Sequence, residues 1–265
     1  MSPWILLGYG WLGAGLVMVL IWAIQRRTND AGIVDVVWAA LIGVLSIFFA
    51  FSIGGYFARR LLIAALASIW ALRLAGYLLI RVTRMPEDGR YRRLRQAWGD
   101  DAQKYLFWFF QIQASWALLF AAPMLIASRN TESPLGVLDA VGVVIWATSI
   151  LGELIADRQL HRFRTNPASK GRVCSAGLWR YSRHPNYFFE WLHWWAYVAI
   201  GWHAPFGWLT LIGPVAMLLF LFKVTGIPPT ERNALASRGE AYRQYQRTTS
   251  VFFPWPPAKA NGATT

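Results

Sequence analysis

Cysteine is all but absent. Cys174 is the single one in 265 residues, so no intrachain disulfide can form and a disulfide-stapled secreted scaffold is excluded. Charge is also scarce. Charged residues make up 15% of the chain, against about 25% in ordinary soluble domains, too few to coat a water-facing surface. Acidic residues are the scarcer sign: 13 stand against 26 basic ones, for a net charge of +13. That excess invites a nucleic-acid reading, but no recognised nucleic-acid motif occurs. No Gly-x-Gly-x-x-Gly follows a strand, no strand pattern exists to host one, and a Gly-Lys-Ser/Thr loop is absent, which excludes a conventional Rossmann or Walker nucleotide site. No repeat and no Ser-, Gln- or Pro-rich linker divides the chain, so residues 1–265 read as one domain.

What the chain has in quantity is apolar surface: 56% apolar residues and 16 tryptophans. Crossing about 30 Å of hydrocarbon takes roughly 20 apolar residues in a helix. Seven runs approach that length: Trp4 to Ile24, Ile33 to Ile53, Leu61 to Ile80, Tyr105 to Ala127, Leu135 to Ala156, Tyr187 to Trp202 and Phe206 to Thr225. The first lacks a preceding basic region and a small-residue cleavage site, so it reads as a retained helix. The expected fold is all-α, a polytopic integral membrane protein of about seven transmembrane helices.

Basic residues separate by alternate connections. Arg26 and Arg27 follow the first run; Arg81, Arg84, Arg90, Arg92, Arg93, Arg95 and Lys104 follow the third. Arg158, Arg162, Arg164, Lys170, Arg172, Arg180 and Arg183 follow the fifth, and Arg232, Arg238, Arg243, Arg247 and Lys259 occupy the tail. These are 21 of the 26 basic residues, and the preference of Lys/Arg-rich short loops for the cytoplasm predicts the amino terminus outside and the carboxyl terminus inside. Topology and attraction to anionic headgroups account for much of the charge; the two basic loops also suit a polyanion. Membrane lipids are the expected surroundings, nucleic acid is not a partner, and no protein partner can be inferred.

Ionisable residues within spans are costly and turn toward protein or water. Three sets recur at helical spacing: Trp70, Arg73, Tyr77, Arg81 and Arg84 in the third run; Glu153, Asp157, His161 and Arg164 in the fifth; Asn186, Glu190, His193, Trp194 and Tyr197 in the sixth. Asp35, Gln111 and Gln113 add polar groups elsewhere. Each has a bland reading, a snorkelling side chain or an internal salt bridge. Together they predict a cavity that is cationic at its mouth and apolar deeper in, suited to a phosphate-bearing molecule and a lipid. Glu190-x-x-His193 has di-iron spacing, but such a site needs two pairs, so no metal is expected. Trp191, Trp194 and Trp195 either belong to the interfacial aromatic belt or wall a ring-binding pocket.

The stretch from Gly177 to Glu190 is the most informative. Pro185 should start a helix, leaving Arg183 and His184 free at its amino terminus, where N–H groups and the helix dipole favour anions. With Asp157 through Arg164, Asn166-Pro167 and Lys170-Gly171, it resembles the steroid 5α-reductase-like membrane family, closest to an uncharacterised bacterial branch. Asp35-x-x-Trp38, Trp70-x-x-Arg73-x-x-x-Tyr77, Pro228-Pro229-x-Glu231, Tyr242-x-x-Tyr245 and Pro254-Trp255-Pro256 extend the likeness over residues 30–257. The Arg183-His184-Pro185-Asn186-Tyr187 core is also similar to isoprenylcysteine carboxyl methyltransferases and phospholipid methyltransferases.

The resemblance implies a bacterial inner-membrane enzyme holding NADPH in a cytoplasm-facing cavity and reducing an activated C=C bond of a lipid or steroid-like molecule. It places cofactor contacts at Arg73, Tyr77, Arg84, Asp157, Arg164, Asn186, Glu190, Trp194 and Tyr242, with Arg183 and His184 at the anion-binding turn. Asp35 and Tyr77 would polarise or protonate the substrate. In one respect the chain departs from the family: animal steroid reductases use a Glu on helix 2 and a Tyr on helix 3, where this sequence has Asp35 and Trp70. A methyltransferase using S-adenosylmethionine is the alternative, and a transporter or lipid-binding scaffold a third.

Overall fold

In the computed structural model, residues 1–258 are described; Lys259, counted above with the tail, lies outside them. Those residues form ten α-helices joined by short 3-10 and π segments, with no strand among them: α1 (Pro3–Thr28), α2 (Ile33–Ser52), α3 (Phe57–Arg84), α4 (Gly89–Trp98), α5 (Ala102–Ala127), α6 (Val137–Thr165), α7 (Pro185–Gly201), α8 (Ile212–Leu219), α9 (Ile227–Arg238) and α10 (Glu240–Thr248). Six helical stretches are long and apolar enough to cross a membrane, beginning at Pro3, Ile33, Phe57, Gly89, Val137 and Gly207. Helices satisfy every backbone group internally, the condition for spanning hydrocarbon. α7, expected as a short span, is 17 residues long and is not among these six. The chain forms two compact units, one of residues 1–140 with 197–213 and the other of residues 141–196 with 214 onward.

In the first unit α2 packs along α3 and α5, and α1 along α5. Small residues make the close approaches: a Cβ at Gly43 would collide with Ala71, and Gly10 already sits against Leu45, Phe49 and Leu118. Without a hydrophobic drive in lipid, such close packing and interhelical hydrogen bonds hold spans together. One end of the unit is tied by Gln25, whose amide donates to Gln103 Oε1 at 2.7 Å while Arg95 donates to its carbonyl at 2.7 Å. Glu87 accepts from Arg95 and from the Ala31 N–H, so α4 is strapped across this end. At the other end Arg59, 2% exposed, pairs bidentately with Asp139 at 2.6 and 2.7 Å. Its Nη1 donates to the Glu132 carbonyl at 2.6 Å. Arg59 is therefore an internal lock rather than a lipid-facing charge.

The second unit joins α6, α7, α9, α10 and the chain after α10. Gly152 brings α6 against the Phe189 ring of α7. The segment between these helices is pinned back on α6: Leu178 N–H donates to Gln159 Oε1 at 2.9 Å and Trp179 Nε1 to the Ala156 carbonyl at 3.0 Å. Gly177, at φ +62, makes that turn without the strain a Cβ would bring. The last apolar helix ends in a π turn, Phe220–Val224, and Gly226 then lies so close to Leu221 that a side chain would overlap its backbone. Pro228 and Pro229 follow in the first turn of α9, where missing N–H groups cost nothing.

Candidate functional site

In the second unit, the polar faces of α6 and α7 touch where Asn186 Nδ2 donates to Asp157 Oδ1 at 3.2 Å. Helical spacing puts Glu153 one turn before Asp157, and Glu190 one turn after Asn186. Glu153 is buried, and Asp157 and Glu190 are half-buried. Trp194, a further turn along α7, is fully buried, while Arg164 is exposed near the end of α6. This strip lines up three acids, Glu153, Asp157 and Glu190, and the Asn186 amide along two facing helices.

Beside it the turn before α7 is held by Glu231. Arg183 Nε donates to Glu231 Oε1 at 2.7 Å, His184 Nε2 lies 3.3 Å from the same oxygen, and Gln246 Nε2 donates to Oε2 at 2.8 Å. The Tyr242 hydroxyl donates to Oε1 at 3.5 Å. Arg183 Nη1 donates further to the carbonyls of Gln246 and Thr249, at 3.0 and 2.8 Å. Ser182 Oγ accepts from the His184 N–H at 3.1 Å, a short polar turn that leads into Pro185 at the start of α7. The expectation that Arg183 and His184 stand free at that helix terminus is thus corrected. His184 is buried and Arg183 half-buried, and a carboxylate 47 and 48 residues away takes the place of the anion. Burial, with the Glu231 charge beside it, pushes the Tyr242 phenol up to about 12. Burial likewise pushes the Cys174 thiol up, so it stays protonated, as a packing residue would.

In the first unit, Asp35 stands in the opening turn of α2, where the helix dipole favours a carboxylate. Both its oxygens are engaged: Oδ2 accepts from Arg90 Nη2 at 2.6 Å and Oδ1 from the Tyr91 hydroxyl at 2.8 Å. Tyr91 is fully buried, and the Arg90 guanidinium lies 4.7 Å from its ring centroid. A narrow cleft beside Asp35 is lined by Gly32, Leu78, Arg81, Val82 and Asp88. Tyr77, the other acid candidate, is 55% exposed on α3 and takes no part in the bonds that hold Asp35. On the same helix Arg73 is half-buried and Arg84 exposed, and Trp70 is fully buried.

Sequence reasoning missed Glu231 as a hub and Arg90 with Tyr91 as the partners of Asp35. Glu231 carried a signal: it is the only acidic residue between Glu190 and Glu240. Of Trp191, Trp194 and Trp195, the three that could wall a ring-binding pocket, Trp191 is engaged in packing. Trp191 Nε1 donates to the Pro214 carbonyl at 3.1 Å, and its ring lies edge-on to Trp195, Phe252 and Phe253. No group of three or more His, Cys, Asp or Glu side chains among the described residues has the geometry to hold a metal.

Fold and polar strip together describe a polytopic helical membrane protein with acids and an amide between two of its helices. The family described as "Protein of unknown function (DUF1295)" matches residues 21–249, and the chain belongs to that family. The chain is 29% identical over 275 aligned positions to an uncharacterized protein of Schizosaccharomyces pombe, C594.04c, an alignment that covers 89% of this chain and 76% of that one. No solved structure matches it.

Proposed function

We propose that the protein is a membrane-embedded reductase that binds NADPH and saturates an activated C=C bond of a lipid or steroid-like molecule. The observation that carries this reading is the contact between Asp157 and Asn186, made by two apolar helices whose next polar residues are Glu153 and Glu190. Asp157 and Glu190 suit ribose hydroxyls and a carboxamide N–H, and Asn186 can serve either partner of an amide. Arg164, exposed on the same face of α6, suits a phosphate. When bound, NADPH would supply the hydride. The chain's own part is to orient the cofactor and keep water from it. Arg73, Tyr77 and Arg84 are assigned to the cofactor by the steroid 5α-reductase-like resemblance alone. Asp35, held by Arg90 and the Tyr91 hydroxyl, would polarise the substrate or orient its proton donor. The basic loops argue for a cytoplasmic cofactor side in a bacterial inner membrane, with the amino terminus outside.

One observation favours the second reading, an S-adenosylmethionine-dependent methyltransferase. Arg183 is consumed by Glu231 and two carbonyls, while Glu153, Asp157 and Glu190 offer acids that would attract a cationic cofactor. A thermal-shift series on the purified protein with NADPH, NADH and S-adenosylmethionine separates the two. A ligand at 100 times its Kd stabilises by about 2.7 kcal/mol, a shift readily read. NADPH alone should raise the midpoint. A shift with S-adenosylmethionine instead would transfer the assignment, and no shift with any of them would overturn both.

A further inference from the structure

The chain after α10 runs back along the beginning of α7. Trp255 N–H donates to the Tyr181 carbonyl at 2.9 Å, just ahead of Pro185. Phe253 lies against Phe188 and Trp191, with ring centroids 6.0 and 5.6 Å apart, in the first two turns of α7. Phe252 fills the inside of this strap, 1% exposed and 5.4 Å from the Phe222 ring. Those contacts fix the depth of the strap. It lies where α7 passes from the polar turn into its apolar length.

At that depth three large rings face outward: Trp255 is 70% exposed, Phe253 56% and Tyr181 41%. The bond between Trp255 and Tyr181 and the ring contacts of Phe253 hold them there, so they are not the loose end of a chain. Two exposed cations stand next to these aromatics in sequence, Arg180 beside Tyr181 and Lys223 beside Phe222. No acidic residue occurs between Asp157 and Glu190, nor after Glu240. Tryptophan and tyrosine rings settle at the boundary between hydrocarbon and headgroups, and Lys or Arg at that level attracts anionic lipid.

We propose that the strap is a binding surface for an anionic phospholipid. The Phe253, Trp255 and Tyr181 rings lie against its acyl–glycerol region, and Arg180 and Lys223 take its phosphate headgroup. The surface is separate from the Asp157–Asn186 strip and does not depend on what that strip binds.

The test is photo-crosslinking of the full chain with Trp255→p-benzoylphenylalanine, in nanodiscs of equal phosphatidylglycerol and phosphatidylcholine, read by mass spectrometry. Lipid adducts are expected, with phosphatidylglycerol ahead of phosphatidylcholine by on the order of fivefold for each basic residue engaged. In the Arg180→Gln/Lys223→Gln variant that preference should fall to near unity while lipid labelling persists. Adducts confined to protein, no adduct at all, equal labelling of the two lipids in the parent chain, or an unchanged preference in the variant would overturn the proposal.

Discussion

Arg183 and Glu231 meet at 2.7 Å although 48 residues separate them, one just ahead of α7 and the other in α9. With Gln246 on the second carboxylate oxygen and the Gln246 and Thr249 carbonyls on the guanidinium, the pair closes the tail of the chain onto the turn that starts α7. Side-chain exposures of 11% and 16% make this a mostly desolvated pair.

Removing one partner of such a pair strands the other. Glu231→Ala should cost about 3 kcal/mol and Glu231→Gln about half of that, since an amide oxygen still accepts from Arg183. Arg183→Ala should cost at least as much as Glu231→Ala, because two carbonyls lose their donor as well. Unfolding midpoints in detergent check the order; Glu231→Ala indistinguishable from the parent would refute it.

The Arg59–Asp139 pair behaves differently from a surface bridge. Either single change, Arg59→Met or Asp139→Leu, should destabilise by about 3–5 kcal/mol, whereas the double variant should recover most of the loss, since an apolar pair needs no desolvated charge. A double variant worse than both singles would contradict this account.

Tyr242 brings a pH dependence. Its phenol titrates near 12 in the folded chain and near 10 when unfolded. The stability tied to the neutral phenol is thus complete below about pH 10 and is lost as pH rises toward 12. Melting midpoints from pH 8 to 12 should fall more steeply in the parent than in Tyr242→Phe above pH 10. Parallel curves would show that the phenol does not contribute.

Ligand retention tests the polar strip. Asp157→Leu and Asn186→Leu should each weaken NADPH binding by about tenfold, the loss of one or two hydrogen bonds. Glu190→Gln and Arg73→Ala should also weaken it, read by fluorescence of the bound nicotinamide. Unchanged affinity in the Asp157 and Asn186 variants would remove the site.

Asp35 is predicted to anchor α4. Asp35→Asn keeps the shape but loses the ion pair with Arg90, so amide hydrogen exchange in residues 89–98 should speed up while α9 and α10 are unaffected. Exchange unchanged in α4 would mean that Glu87 and Arg95 suffice to hold it.

Much of the fold was legible in the sequence. Runs such as Ile33 to Ile53 can cross hydrocarbon only as helices, and Pro185 after Arg183-His184 marks the start of α7. The Asp157 and Asn186 strips were legible from helical spacing, because a period of 3.6 residues aligns side chains without reference to any partner. Partnership was not legible. Arg183 looked free to bind an anion because its counter-charge lies 48 positions on, and the ion pair that holds Asp35 was hidden because Arg90 lies 55 positions on.

By itself, then, the sequence determined which segments enter the membrane and which of their faces carry charge, since both follow from local composition and local period. The tertiary structure alone decided which of those charges are spent on one another: Arg59 on Asp139, Asp35 on Arg90, Arg183 on Glu231. The reason is that the energy of an ion pair depends on distance through space and on desolvation, and neither is fixed until the helices pack.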